Sequence, residues 1–124
     1  MFSFEKLEVW QKARALAGKV YDVVEEFPKR EQFALSQQLR RAAVSVVANV
    51  AEGSSRSSHK EFSRYVEMAF GSLCEVIAEL FIAQDRGYLK TERFTELYGR
   101  AESLGQMLSK FRRALETSWI KANA

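Results

Sequence analysis

Residues 42–51 read AAVSVVANVA, and residues 68–83 read MAFGSLCEVIAELFIA. The first run has no charged residue, and the second carries only Glu75 and Glu79. Both runs are predicted to lie within helices. A helix on the surface of a small water-soluble bundle needs a polar face toward solvent, and these two helices barely have one. The pattern therefore predicts that another molecule, most simply a second copy of the chain, covers them.

Outside these two runs, the rest of the chain also reads as helical. It has one proline and six glycines in 124 residues, which disfavours strands and frequent turns. Turn signals occur at FPKRE (27–31), EGSSRSS (52–58) and RGYLKT (86–91). Between them, apolar residues recur at spacings of three and four, as in the first stripe of Leu7, Trp10, Leu16, Val20, Tyr21, Val24 and Phe27. This periodicity predicts helices over about 5–27, 35–52, 59–86 and 92–117.

Helix ends can be placed from a few residues. Pro28 should end the first helix, because a proline disfavours helical geometry in the residue before it. Gly53 is predicted as a left-handed cap of the second helix, and Gly87 should end the third. Ser58, followed by Glu61, has the capping-box spacing of a helix start. Short connections favour antiparallel neighbours, so the sequence predicts one all-α domain, an up-down-up-down four-helix bundle spanning residues 1–124.

The second and third helices each carry a polar strip beside the core face. At about 100° per residue, the strip of the second helix comprises Gln38, Arg41, Ser45, Asn49 and Glu52, and that of the third comprises Glu61, Ser72, Glu75 and Glu79. The backs of the two helices hold small or apolar residues, namely Val44, Val47, Ala48 and Ala51, then Gly71, Cys74, Ala78 and Ile82.

Two interpretations of these strips remain open. They are either ordinary solvated faces next to tolerated surface alanines, or a hydrogen-bonded seam at a helix–helix or subunit boundary. The contiguous small apolar residues favour the second interpretation. Antiparallel pairing would then let Arg41 reach Glu75, and Gly71 would permit a close backbone approach.

Several of these segments carry a resemblance to a known family. FEKLEVWQKA (4–13), FP (27–28), QLRRAAVSVVANVAEGSSR (38–56), EFSRY (61–65) and MAFGSLCEVIAEL (68–80) resemble the bacterial four helix bundle proteins, also called 23S rRNA intervening-sequence proteins. The likeness extends over nearly the whole chain. It implies an antiparallel four-helix bundle that assembles as a ring, typically a homopentamer.

The resemblance also bears on partners. Some members of the family are encoded inside segments inserted into large-subunit ribosomal RNA genes. A related branch is the accessory protein of diversity-generating retroelements, which binds nucleic acid and a reverse transcriptase. The family gives no catalytic role to the residues that match its motifs, which include Gln38, Arg41, Ser45, Asn49, Glu52, Gly71, Ser72 and Glu75.

Charge, cysteine content and hydropathy limit the classes of protein to which the chain can belong. The net charge is +3, a mildly basic balance that is compatible with a nucleic-acid partner. The single cysteine, Cys74, excludes an internal disulfide and suits a reducing compartment. The N-terminus lacks the order of a signal peptide, and Glu75 and Glu79 interrupt the longest apolar stretch, which argues against a membrane span. The sequence therefore predicts a cytoplasmic protein.

Catalytic chemistry has little support. A metal site needs clustered His, Cys or carboxylate ligands, and the chain has one His and one Cys, far apart in sequence. Cys74 and His59 should lie about four turns apart on the third helix, which excludes a nucleophile pair. No glycine-rich phosphate loop is present. We therefore predict no enzymatic activity, no metal and no cofactor.

Nucleic acid is the favoured partner. Arg56, Lys60 and Arg64 surround the turn before the third helix, and a second group comprises Lys29, Arg30 and Arg40. Together with the exposed amides of a helix N-terminus, the first group could hold phosphate. The competing interpretation is a solvated turn with Ser58 as a simple cap. A different class of function, an oligomeric scaffold that binds a protein partner such as a polymerase or reverse transcriptase, also remains open.

Overall fold

Four α-helices form the structure, a computed structural model that describes the backbone of residues 1–123 and the side chains of residues 1–118. They are α1 (Glu8–Val24), α2 (Leu35–Ser54), α3 (His59–Asp85) and α4 (Thr91–Asn123). Short 3-10 turns lie at Ser3–Lys6 and Lys29–Glu31. Residues 1–123 contain no strand. The predicted all-α class with four helices is therefore confirmed.

Successive helices pack as neighbours around one core. Contacts join α1 to α2, α2 to α3, α3 to α4, and α4 back to α1. Their apolar stripes meet along the bundle axis, and the largest fully buried side chains are Leu39, Leu73, Leu80, Leu97, Leu104, Leu108, Val20, Val46, Val50, Val66 and Val76. The short connections make each helix antiparallel to the one before it.

The first and last helices differ in length from the predicted ranges. Leu7 is extended (ψ 124°), so it separates the preceding 3-10 turn from α1, which begins at Glu8 instead of residue 5. At the other end, the chain leaves the helix after Val24, before the restriction imposed by Pro28. Tyr21, predicted in the core stripe, is exposed because it lies at the edge of that stripe. The last helix continues past residue 117 to Asn123.

Gly53 does not have the predicted role of a left-handed cap. It lies inside α2 with a negative φ and is buried. A Cβ atom at this position would approach the Cβ of Tyr65 to 2.7 Å and Cδ1 of Phe62 to 2.8 Å. Glycine is needed here because the side chains of α3 pack directly against the backbone of α2.

Both predicted ends of α3, the cap at Ser58 and the turn at Gly87, are present. The hydroxyl of Ser58 accepts a hydrogen bond from the backbone N–H of Glu61 (3.2 Å), which caps the start of the helix. Gly87 has φ +78°, its N–H donates to the Gln84 carbonyl (3.0 Å), and the N–H of Tyr88 donates to the Ala83 carbonyl (2.9 Å). This pair of bonds is the Schellman motif, which needs a residue in the left-handed region.

Substitution of Gly53 by alanine tests the close approach of α2 and α3. Overpacking costs about 1–3 kcal/mol, and it outweighs the gain of up to about 1 kcal/mol from alanine's better helix propensity. We expect Gly53→Ala to lose about 1–2 kcal/mol of unfolding free energy in denaturant titrations. Gly18→Ala is the matched control, because an added Cβ at that exposed helical glycine meets nothing within 4 Å and should stabilise the chain. Equal stability of Gly53→Ala and wild type would contradict the packing described here.

Candidate nucleic-acid and subunit interfaces

A short polar seam joins α2 to α3 between the core and the surface. The hydroxyl oxygens of Ser45 and Ser72 are 2.8 Å apart and share a hydrogen bond. The amide of Asn49 donates to the Ser45 carbonyl (2.9 Å) and to the Ser45 hydroxyl (3.0 Å). All three side chains are half-buried. These small polar groups satisfy one another, so the two helices can approach closely at this level.

The remaining polar residues predicted for the seam lie outside it. Gln38, Arg41, Glu52 and Glu75 are exposed. Within residues 1–118, no ion pair joins Arg41 to Glu75, so the predicted contact is not made inside the chain. The physical reason is that both side chains project outward from the inter-helix groove, where water or another molecule can meet them.

Glu79 is the polar residue of the strip that is buried. Only 9% of the residue is exposed, and among the described atoms its Oε1 has no hydrogen-bond partner. Burial raises the pKa of Glu79 from 4.5 to about 7, and the negative charge of Glu75 and a hydrogen bond with it add to the rise. Glu79 is therefore a carboxyl group that titrates close to neutral pH, well above the range of an exposed glutamate.

The outer faces of α2 and α3 are largely apolar, as the two runs that are poor in charge predict. Val44 is 45% exposed, and Met68 and Ile82 are each 50% exposed. The small residues between them, Ala48 and Gly71, are exposed as well. Several large apolar side chains therefore lie on one side of the molecule, which is uncommon for a chain that works alone.

A second apolar surface, not predicted from the sequence, lies between α3 and α4. This α3–α4 groove has a volume of about 380 Å³ and is lined by Phe70, Leu73, Cys74, Ile77, Tyr98, Ala101, Glu102, Gly105, Gln106, Ser109 and Arg113. Phe70 and the nearby Phe81 are exposed. The sequence does carry a signal for this surface. Phe70 lies seven residues before Ile77 and Phe81 lies four residues after it, and this spacing places an aromatic stripe beside the core stripe of α3.

The basic residues of the α2–α3 turn are gathered at one end of the bundle. One guanidinium nitrogen of Arg56 lies 2.8 Å from a carboxylate oxygen of Glu52 and 2.6 Å from the hydroxyl of Tyr65. The guanidinium also lies over the Tyr65 ring at 4.6 Å. Lys60 and Arg64 are exposed on the first turns of α3. Arg56 is thus held in place by internal partners, with Lys60 and Arg64 close to it in sequence.

Serine hydroxyls at this turn are directed to the backbone. Ser54 donates to the Ala51 carbonyl (2.6 Å), and Ser55 donates to the Glu52 carbonyl (2.7 Å). Ser58 accepts the capping bond described above. These three hydroxyls are therefore engaged in ending α2 and starting α3.

The six predicted phosphate-binding residues do not form one patch. Lys29, Arg30 and Arg40 lie near the start of α2, at the end of the bundle opposite Arg56. Arg30 contacts the hydroxyl of Tyr88 (3.4 Å), and Arg40 donates to the Gln32 carbonyl (3.2 Å). A helix of this length spans about 30 Å, so the fold separates the two basic groups by nearly the length of the bundle.

Comparison with known proteins gives a family. Residues 5–110 match the model of the family described as 23S rRNA-intervening sequence protein. The chain belongs to this family. A crystal structure of a protein of unknown function from the S23 ribosomal protein family, from Bacteroides thetaiotaomicron, is similar to the present fold, with a TM-score of 0.78 and 18% sequence identity. The alignment covers 84% of this chain and 97% of that chain. A search of curated proteins gives no match.

Two further observations describe this member of the 23S rRNA-intervening sequence family. In the part of the chain that the structure describes, no group of three or more His, Cys, Asp or Glu side chains is placed to hold a metal ion. None of the helices in the described residues combines the length and apolar character needed to cross a lipid bilayer.

The buried carboxyl predicts a pH dependence of stability. The folded-state pKa of Glu79 lies above its unfolded value, so the folded chain binds this proton more tightly. The resulting stability is fully present below about pH 4.5 and is lost as the pH rises through about 7. Glu79→Gln keeps the shape without the charge, so we expect it to exceed wild type in unfolding free energy by about 1–2 kcal/mol above neutral pH.

Denaturant titrations over this pH range check the expectation. The difference between Glu79→Gln and wild type should grow from acid to neutral pH. Glu25→Gln, at an exposed position of α1's end, is the control and should show no such growth. A constant difference for Glu79→Gln would mean that this carboxyl is ionised at neutral pH without penalty.

Proposed function

We propose that this protein is a homo-oligomeric, non-catalytic nucleic-acid-binding protein that contacts the backbone of RNA or DNA. The observation that carries the proposal is the grouping of Arg56, Lys60 and Arg64 at the turn where α3 begins. Cationic side chains at a helix N-terminus favour phosphate, since the terminal amides and the helix dipole add to their charge.

Arg56 is suited to this role although it already has a partner. Its guanidinium carries five N–H donors, and its bonds to Glu52 and Tyr65 use one of its terminal nitrogens. The stacking on Tyr65 holds the guanidinium plane in a fixed position, which lowers the entropy lost on binding. A phosphate could then be bound beside Glu52 or in exchange for it.

Assembly would multiply a weak site. The exposed apolar faces at Val44, Met68 and Ile82 support association with further copies, and the family resemblance implies a pentameric ring. Contacts repeated on one assembly gain through effective concentration, so modest single sites can give firm binding. Copies arranged side by side would present Arg56 on one rim of the ring and Lys29, Arg30 and Arg40 on the other.

A protein-binding scaffold is the second candidate. Phe33 is 81% exposed and Phe2 is 73% exposed. A groove of about 420 Å³ between α1 and α4, lined by Leu7, Met107 and Phe111 among others, adds apolar surface. These features favour a protein partner such as a polymerase or reverse transcriptase. Both candidate functions are compatible with the cytoplasmic location predicted from the sequence, and that location stays a prediction.

A binding titration separates the two candidates. We expect the protein to bind both single-stranded RNA and duplex DNA, with affinity that falls steeply between about 50 and 200 mM salt and with little dependence on sequence. The variant Arg56→Ala, Lys60→Ala, Arg64→Ala should lose about tenfold or more in affinity at low salt and show a smaller salt slope.

The matched control removes the same charge elsewhere. Lys6→Ala, Lys12→Ala, Lys19→Ala changes three lysines in and beside α1 and should bind nearly as wild type does. If both triple variants bind equally well, the turn is not the binding surface. If wild type fails to bind either nucleic acid at low salt, the nucleic-acid proposal is wrong and the scaffold remains.

A further inference from the structure

We infer that the outer stripe of α2 in one copy docks into the α3–α4 groove of the next copy, so that subunits contact each other head to tail. The outer stripe comprises Arg41, Val44, Ala48 and Glu52. This inference rests on the homo-oligomer proposed above and adds the two faces that meet. It commits the groove to a second copy of this chain.

The two faces fit in chemical character. The outer stripe presents one large apolar side chain, Val44, followed by the small Ala48. The groove is lined by apolar side chains of α3 and by the buried Gly105, above which Leu73 and Phe70 lie within van der Waals distance (3.5 and 3.6 Å from an added Cβ). Val44 would therefore pack against these apolar side chains, as residues of one helix pack between those of two others.

The ridge and the opening also lie at the same height in the bundle. Ser45, next to Val44, bonds to Ser72 of α3. Gly105 of α4 lies against Leu73, which follows Ser72 in α3. Val44 and Gly105 are therefore level with each other on opposite sides of α3. A ring whose axis runs parallel to the helices keeps all copies at one height, so Val44 of one copy would lie at the level of Gly105 in the next.

Charges at the two ends of each face are complementary. Arg41 precedes Val44 by three residues, and Glu102 precedes Gly105 by three residues. Glu52 follows Val44 by eight residues, and Arg113 follows Gly105 by eight. Helices α2 and α4 run in the same direction. Arg41 of one copy would therefore face Glu102 of the next at one end of the contact, and Glu52 would face Arg113 at the other end, about 16 Å away.

These charges are available for a partner. Among the side chains of residues 1–118, no ion pair includes Arg41, Glu102 or Arg113. Glu52 bonds to Arg56, yet 54% of its side chain is exposed. Because the stripe and the groove are different surfaces of the same chain, the contact is heterologous, and repetition of it generates a ring when the rotation closes.

A disulfide cross-link tests the contact with one substitution. Cys74 lines the groove close to the height of Val44, so Val44→Cys should form a disulfide with Cys74 of the adjacent copy under mild oxidation. We expect a ladder of dimers and larger species on a non-reducing gel. A disulfide within one chain would leave the band at the monomer position.

Two control variants make the gel specific. Val44→Cys, Cys74→Ser leaves one thiol per chain, so it can form nothing larger than a dimer. We expect only the monomer band, and a dimer band there would mean that α2 contacts α2, which would overturn the inference. Ala15→Cys, on the exposed face of α1, should not cross-link to Cys74.

Charge exchange provides a second measurement that does not depend on oxidation. We expect Arg41→Glu and Glu102→Arg each to weaken subunit association about tenfold, measured by sedimentation. The double variant should return to within about threefold of wild type. If wild type is oligomeric but neither single variant changes association and no ladder forms, the docking inference is wrong and the oligomer stands. If wild type is a monomer, both the oligomer and this inference are wrong.

Discussion

The close approach of α2 and α3 is the constraint on which the rest of the structure depends. Gly53 lets Tyr65 and Phe62 pack against the α2 backbone, and the Ser45–Ser72 hydrogen bond satisfies two polar groups between the helices at mid-height. Helices in such contact need small or apolar residues on the sides that face each other. The outer sides of both helices are apolar too, which this packing does not require and which the proposed cover by a second copy explains.

That distribution divides the molecule into surfaces with different chemistry. Apolar side chains lie along the flanks of the bundle, where a second copy can cover them, whereas the basic groups lie at its two ends. An assembly that buries the flanks would leave both ends accessible, and Glu52 would connect the two surfaces, since it bonds to Arg56 and faces Arg113 of the next copy in the proposed contact. The buried Glu79 adds a pH-sensitive group next to one of these flanks.

Much of this fold follows from local rules, and the exceptions have physical causes. Apolar periodicity gives four helices, and the Ser58 cap and the Gly87 turn depend only on nearby residues. Gly53 could not be read in this way, because its role depends on Tyr65, a residue of another helix. The polar strips did indicate the Ser45–Ser72 contact, but which members face inward depends on helix rotation. The α3–α4 groove likewise requires two helices in register before its lining residues can be recognised.

The mass of the protein in dilute buffer, measured by light scattering, tests the central claim most directly. We expect wild type to have a multiple of the 14.2 kDa chain mass, and Ala48→Glu, which places a charge on the apolar face of α2, to shift toward the single chain. A wild-type particle of 14.2 kDa, with the outer faces of α2 and α3 open to water, would contradict the account.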